Sequence, residues 1–228
     1  MMKKLFISIF GVFLLALSLA SALDYSTNSE RTCDGNNICT STIYSYQKYY
    51  QQNSQWKQID ENFGTQDCQP GYQYCVDSNL YQFHIKNTFS EPLVTYGDTK
   101  LSFTLASLGN LPSLPSTASI QGNTVTYSNI IQGIDVTYIY LPHKVKEEII
   151  IKDKTPLASL TTDLPIEFTL NAHGKPINTL GKTIKAGDLH MADLVAYDSA
   201  GHLTAIPFSV RGNTFTMTKP LAWLKNET

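Results

Sequence analysis

Residues 123–152 read NTVTYSNIIQGIDVTYIYLPHKVKEEIIIK, and the alternation within them decides the fold class. Val125 and Tyr127 alternate with Thr124, Thr126 and Ser128. After a turn at Gln132-Gly133, Ile134, Val136, Tyr138 and Tyr140 share one face of a second strand. Leu141-Pro142-His143-Lys144 turns the chain again, and Val145, Glu147, Ile149 and Ile151 line a third. Period-two spacing in β-branched and aromatic residues specifies strands with one buried face.

Working outward, Tyr81, Phe83 and Ile85, then Leu101, Phe103 and Leu105, repeat the pattern. Residues 40–50 and 56–60 read as a hairpin around a polar turn at 51–55, and residues 23–31 as a loose start. Residues 108–119 (LGNLPSLPSTAS) carry two prolines and read as a loop, since proline cannot serve a central strand. Beyond the central stretch, short strands are expected at 166–170, 180–184, 189–196, 206–210 and 214–217, with Gly174, Gly201 and Gly212 between them. The 3.6-residue period of a helix is missing; residues 186–195 come nearest, and they too read better as strand. Strands this short, at this spacing, specify an all-β, antiparallel β-sandwich-like module with little or no helix. One module is expected over 23–228: a cystine-bearing part at about 23–107, the loop, and a part at about 120–228.

Residues 1–22 carry an address. Lys3 and Lys4 precede an uncharged apolar run at 5–19, and Ala20-Ser21-Ala22 supplies small residues for cleavage. That is the pattern of a secretory signal peptide, and the run is too short to span a bilayer as a helix. Cleavage leaves 206 of the 228 residues and, with two lysines lost, lowers the formal net charge from −2 to −4. No further membrane span is expected after it. Mild acidity excludes a nucleic-acid surface, which needs clustered lysine and arginine.

The four cysteines, Cys33, Cys39, Cys68 and Cys75, lie behind this leader and read as disulfides. Of the three pairings, Cys33–Cys39 and Cys68–Cys75 are favoured because each brackets a turn: Asp34-Gly35-Asn36-Asn37 and Gln69-Pro70-Gly71. Each short loop would stabilise by about 2 kcal/mol. Zinc sites space cysteines more closely than these pairs, so no metal is expected.

Chemical motifs are sparse. Gly181-Lys182-Thr183 lacks the glycine five residues earlier that a phosphate loop needs; Pro176 stands there. Neither G-x-S-x-G nor H-E-x-x-H occurs, and the five histidines read as solvated structural residues. Glu147, on the apolar face of its strand, is the carboxylate that stands out, with Asp135 and Asp60 as the other acids a glycoside-cleaving pair could draw on. Tyrosines 44, 46, 49 and 50 with Trp56 could stack on sugars, or pack across strands.

Two stretches carry a resemblance: Tyr127-x5-Gly133-Ile134-Asp135-Val136-x-Tyr138, followed by Val145-Lys146-Glu147-Glu148-Ile149-Ile150. They resemble a segment of large secreted surface proteins, wall-associated proteins of the YD-repeat type and secreted proteins with β-propeller-type repeats. Trp56-Lys57-x-Ile59-Asp60 and Ala196-x-Asp198-x-x-Gly201 are similar to flanking elements of the same proteins, so the likeness runs from about residue 40 to the end. It implies an N-terminal β-sandwich-like module without assigned catalytic residues, cofactors or metals. Gly133 would supply a turn and Asp135 would hold it; Trp56, Asp60, Tyr127, Tyr138, Lys146 and Glu147 would be structural positions. The cystines are no part of that pattern. The similar proteins also continue past the position of Thr228 into a final strand and repeats. The expectation is a non-catalytic structural or interaction module, secreted or at the cell surface, whose partners are downstream domains or surface components. A carbohydrate-binding module with a glycan ligand is the second reading, and a paired-carboxylate glycosidase the third.

Overall fold

The computed structural model describes residues 5–13, 29–33, 39–44, 47–153, 155–158, 160–181, 183–192, 194–197 and 201–220. Nearly all regular structure there is strand. In chain order β1 is Leu5–Phe13, β2 Ser29–Cys33, β3 Cys39–Ile43, β4 Tyr49–Gln52 and β5 Gln55–Gln58. Next come β6 Tyr74–Val76, β7 Tyr81–Ile85, β8 Leu93–Tyr96, β9 Thr99–Leu108 and β10 Ala118–Gln121. The quoted stretch forms β11 Thr124–Ile131, β12 Ile134–Leu141 and β13 Lys144–Ile151. A 3-10 turn, Thr155–Leu157, leads to β14 Leu164–Asn171, β15 Ile177–Leu180, β16 Thr183–Ala186 and β17 Leu189–Ala192. Last are β18 Val195–Tyr197, β19 Leu203–Ala205, β20 Phe208–Arg211 and β21 Thr214–Lys219.

Two antiparallel sheets carry the core. One runs β10-β11-β12-β13-β1-β17-β16-β15, with β18 paired to β1 and β19 to β18. The other runs β20-β21-β14-β9-β8-β7-β6. The expected all-β, antiparallel, sandwich-like class is what the chain adopts. Ile134, Val136, Tyr138 and Tyr140 are buried, as are Val145, Glu147, Ile149 and Ile151, so both strands put the expected face inward. A one-residue slip would have turned all eight onto the other face, where Asp135, Thr137 and Glu148 lie.

Aromatic rings join the sheets. Tyr138 meets Phe83 edge-on at 5.7 Å and Phe103 at 6.1 Å, while Tyr81 stacks on Tyr140 at 4.7 Å. Each tyrosine in that stack also satisfies its hydroxyl across the interface. Tyr140 Oη donates to the Tyr81 carbonyl at 2.9 Å, and Tyr81 Oη reaches the Leu141 and Lys144 carbonyls. Buried phenols need such partners, and these clamp the β12–β13 turn to β7.

Several local expectations give way. Residues 40–50 do not form one strand: β3 ends at Ile43 and pairs with β2, which occupies part of the supposed loose start. β4 and β5 close instead on a two-residue turn, Asn53-Ser54, both at positive φ, the geometry that matches strand twist. Residues 180–184 are not a strand; Gly181, at φ 59°, turns β15 into β16. The loop expected at 108–119 is real between β9 and β10, but Ala118 already pairs with Tyr127. Residues 5–13, part of the apolar run expected at 5–19 in a leader, lie extended between β13 on one side and β17 and β18 on the other; the rest of that run lies outside the described residues.

Candidate functional site

The β11–β12 connection shows what the central motif does. The register shifts between Tyr127 and Ile131, so Ser128, Asn129 and Ile130 form a bulge. Asn129 sits at φ 53° and Gly133 at φ 73°. Asn tolerates that region because its short side chain bonds locally. Here Asn129 Oδ1 accepts from the Gly133 N–H at 3.2 Å, and the Asn129 N–H donates to Asp135 Oδ1 at 2.7 Å. Lys152 Nζ, 2.8 Å away, pairs with the same carboxylate oxygen, and the Lys152 N–H donates to the Gly133 carbonyl. Gly133 has a second reason to be glycine: a Cβ there would lie 2.9 Å from that of Asp153. Asp135 is thus a buried fastener for the bulge, reached through backbone and Lys152.

Glu147 is in the core. It lies opposite Tyr138 on β12, and its side chain is fully buried. Among the described residues, neither carboxyl oxygen has a hydrogen-bond partner. Burial pushes the carboxyl up from 4.5 to about 8; the Tyr138 hydroxyl draws it back only partly, without the geometry of a formed hydrogen bond. In return, burial first and then this carboxyl raise the Tyr138 phenol well above its ordinary value. Its neighbour Glu148 points the other way and binds Lys146 and the Tyr197 hydroxyl.

Asp60 is exposed and accepts from the Asn62 N–H and side-chain amide at 3.0 and 2.8 Å, forming a local turn. A groove of about 690 Å³ runs beside Leu194, Ile206 and Phe208, and one of about 460 Å³ beside Asp60, Asp67 and Asp77. Neither is lined by Glu147 or Asp135.

Cys68 and Cys75 are joined, with Cα atoms 5.4 Å apart. Cys33 and Cys39 face each other as register partners of β2 and β3; their side chains lie outside the described residues. His84 departs from the solvated role expected of histidines. It lies opposite Cys75 in the β6–β7 ladder, is fully buried, and has no hydrogen-bond partner for Nε2 among the described residues. Burial lowers it from 6.5 to about 4, which keeps it neutral. Strand alternation could not reveal it, because position 84 falls on the outward face and is covered by the 64–75 loop, where Gln69 N–H points at its Nδ1. The two sulfurs beside it are committed to the disulfide.

Trp56, on β5, is 42% exposed. Tyr44 is half-buried, with Lys48 Nζ 4.1 Å over its ring, and Tyr46 lies outside the described residues, as do Asp198, Ser199 and Ala200 of the A-x-D-x-x-G element. Among the described residues no helix is long and apolar enough to cross a membrane. No family model, curated protein or solved structure matches this chain.

Proposed function

We propose that this chain is a secreted or cell-surface β-sandwich module with a structural or interaction role, comparable to the N-terminal modules it resembles. The observation that supports this is the use made of the central motif. Asn129, Gly133 and Asp135 build and fasten a bulged hairpin, while Tyr138 and Glu147 fill the core behind it. Of the residues that carry the resemblance, Gly133, Asp135, Tyr138 and Glu147 are occupied with architecture. Expression of the full chain in a secreting host tests the reading. It predicts recovery outside the cell or on its surface, lacking residues 1–22; an intracellular product with Met1 in place would contradict it.

The glycan-binding reading rests on Trp56, whose exposed ring on a hairpin is a stacking platform. Tyr44 adds nothing on the face that Lys48 covers. If glycan binding is found, Trp56→Ala should weaken it roughly fivefold, the worth of one lost aromatic contact. Unchanged binding would remove this reading.

A further inference from the structure

The segment that reads as a leader is seated in the middle of a sheet. β1 pairs with β13 from Leu5↔Ile151 to Gly11↔Lys146, with a register shift between Ser8 and Phe10. Its other edge pairs with β18 through Phe6, Ile7 and Ser8, and with β17 through Gly11, Val12 and Phe13. It is the strand that joins β10–β13 to β15–β19. Removing it leaves two facing rows of unpaired backbone donors and acceptors in a sheet interior, which proteins do not leave empty. The neighbouring side chains are core: Ile149, Ile151, Leu189, Met191 and Ala196 are all buried.

We propose that the processed protein holds an open slot between β13 and the β17–β18 edge, and that it takes a donor strand from a partner protein. This rests on the secreted-module reading. The chemistry of the donor follows from what fits the slot now: LFISIFGVF, nine uncharged residues in extended form, antiparallel to β13. Main-chain pairing on both edges would give affinity, and the apolar neighbours would select against charge, as in other recognition by strand addition.

The test starts from the full chain expressed in a secreting host and takes the intact mass of the product. A dye-labelled peptide of residues 5–13 with terminal lysines is then titrated in, beside a Ser8→Pro peptide. Saturable one-to-one binding with a raised melting temperature, weakened on the order of tenfold or more by the proline that removes a ladder N–H, supports the slot. If the product aggregates alone, recovery of soluble monomer when the peptide is present during refolding supports it equally; no recovery overturns it. A processed monomer that ignores the peptide means the sheet has closed on itself, and overturns the proposal alone. A dimer that the peptide cannot dissociate makes a second copy the occupant and overturns the partner. A product retaining residues 1–22 overturns both the leader reading and the slot.

Discussion

At the scale of single residues, two acids of the central stretch sit in different surroundings, Asp135 in a polar turn and Glu147 in the core. Asp135 accepts a backbone N–H and pairs with Lys152. Asp135→Asn keeps an oxygen for the N–H, so it should lower stability by under about 1 kcal/mol; Asp135→Ala leaves that donor unmet and should lose about 1–3 kcal/mol. Denaturant unfolding of the pair reads the difference, and equal losses would remove the fastener role. Glu147 makes a pH prediction. Its folded carboxyl titrates at about 8 against an ordinary 4.5, so between those values the folded chain holds a proton that the unfolded chain has released. Stability from this group is complete below pH 4.5 and is lost as pH rises through about 8, with a slope of up to about 1.4 kcal/mol per unit. His84 has the opposite sign: folded at about 4 against 6.5, it removes stability only as pH falls below 6.5. The window above pH 6.5 therefore separates Glu147 from His84. The melting temperature should fall between pH 6.5 and 8.5, and Glu147→Gln should flatten that fall; an unchanged slope would mean Glu147 is not buried neutral.

At the scale of elements, the β11–β12 bulge depends on Gly133. Gly133→Ala must place a Cβ at positive φ and against Asp153, whereas Gly212→Ala meets the φ penalty with open space around it. The second should lose about 1–2 kcal/mol and the first clearly more; equal losses in thermal unfolding would show that Asp153 moves aside. The two strands that follow this turn were legible because their periodicity is local and uninterrupted: Ile134 to Tyr140 and Val145 to Ile151 each carry four inward positions in strict alternation. The bulge itself was not. A shift in register has no composition signature, so Asp135 could be assigned to the turn from sequence but its partners Asn129 and Lys152 could not. The break between β3 and β4 was hidden for a related reason, since TSTIYSYQKYY is rich in β-formers throughout and its interruption is decided by what each half pairs with. His84 was missed because a loop, and not the sheet, buries it.

At the scale of the whole molecule, the sandwich joins residues far apart in sequence. β9 pairs with β14, bringing Phe103 opposite Leu170, and β7 and β9 face β12 through Phe83, Phe103 and Tyr138. Pairings of this range leave no mark on local alternation; the class was readable, the strand order was not. The central claim is that β12 and β13 are the middle of this core and everything else is arranged on them. Exchange of amide hydrogens under native conditions measures it directly, since the slowest amides open only with global unfolding. The slowest amides should fall in β12 and β13 together with β7, β9 and β14, exchanging at a common free energy, while the exposed β4–β5 hairpin exchanges far faster. Protection in residues 134–151 no greater than in residues 49–58 would contradict the account.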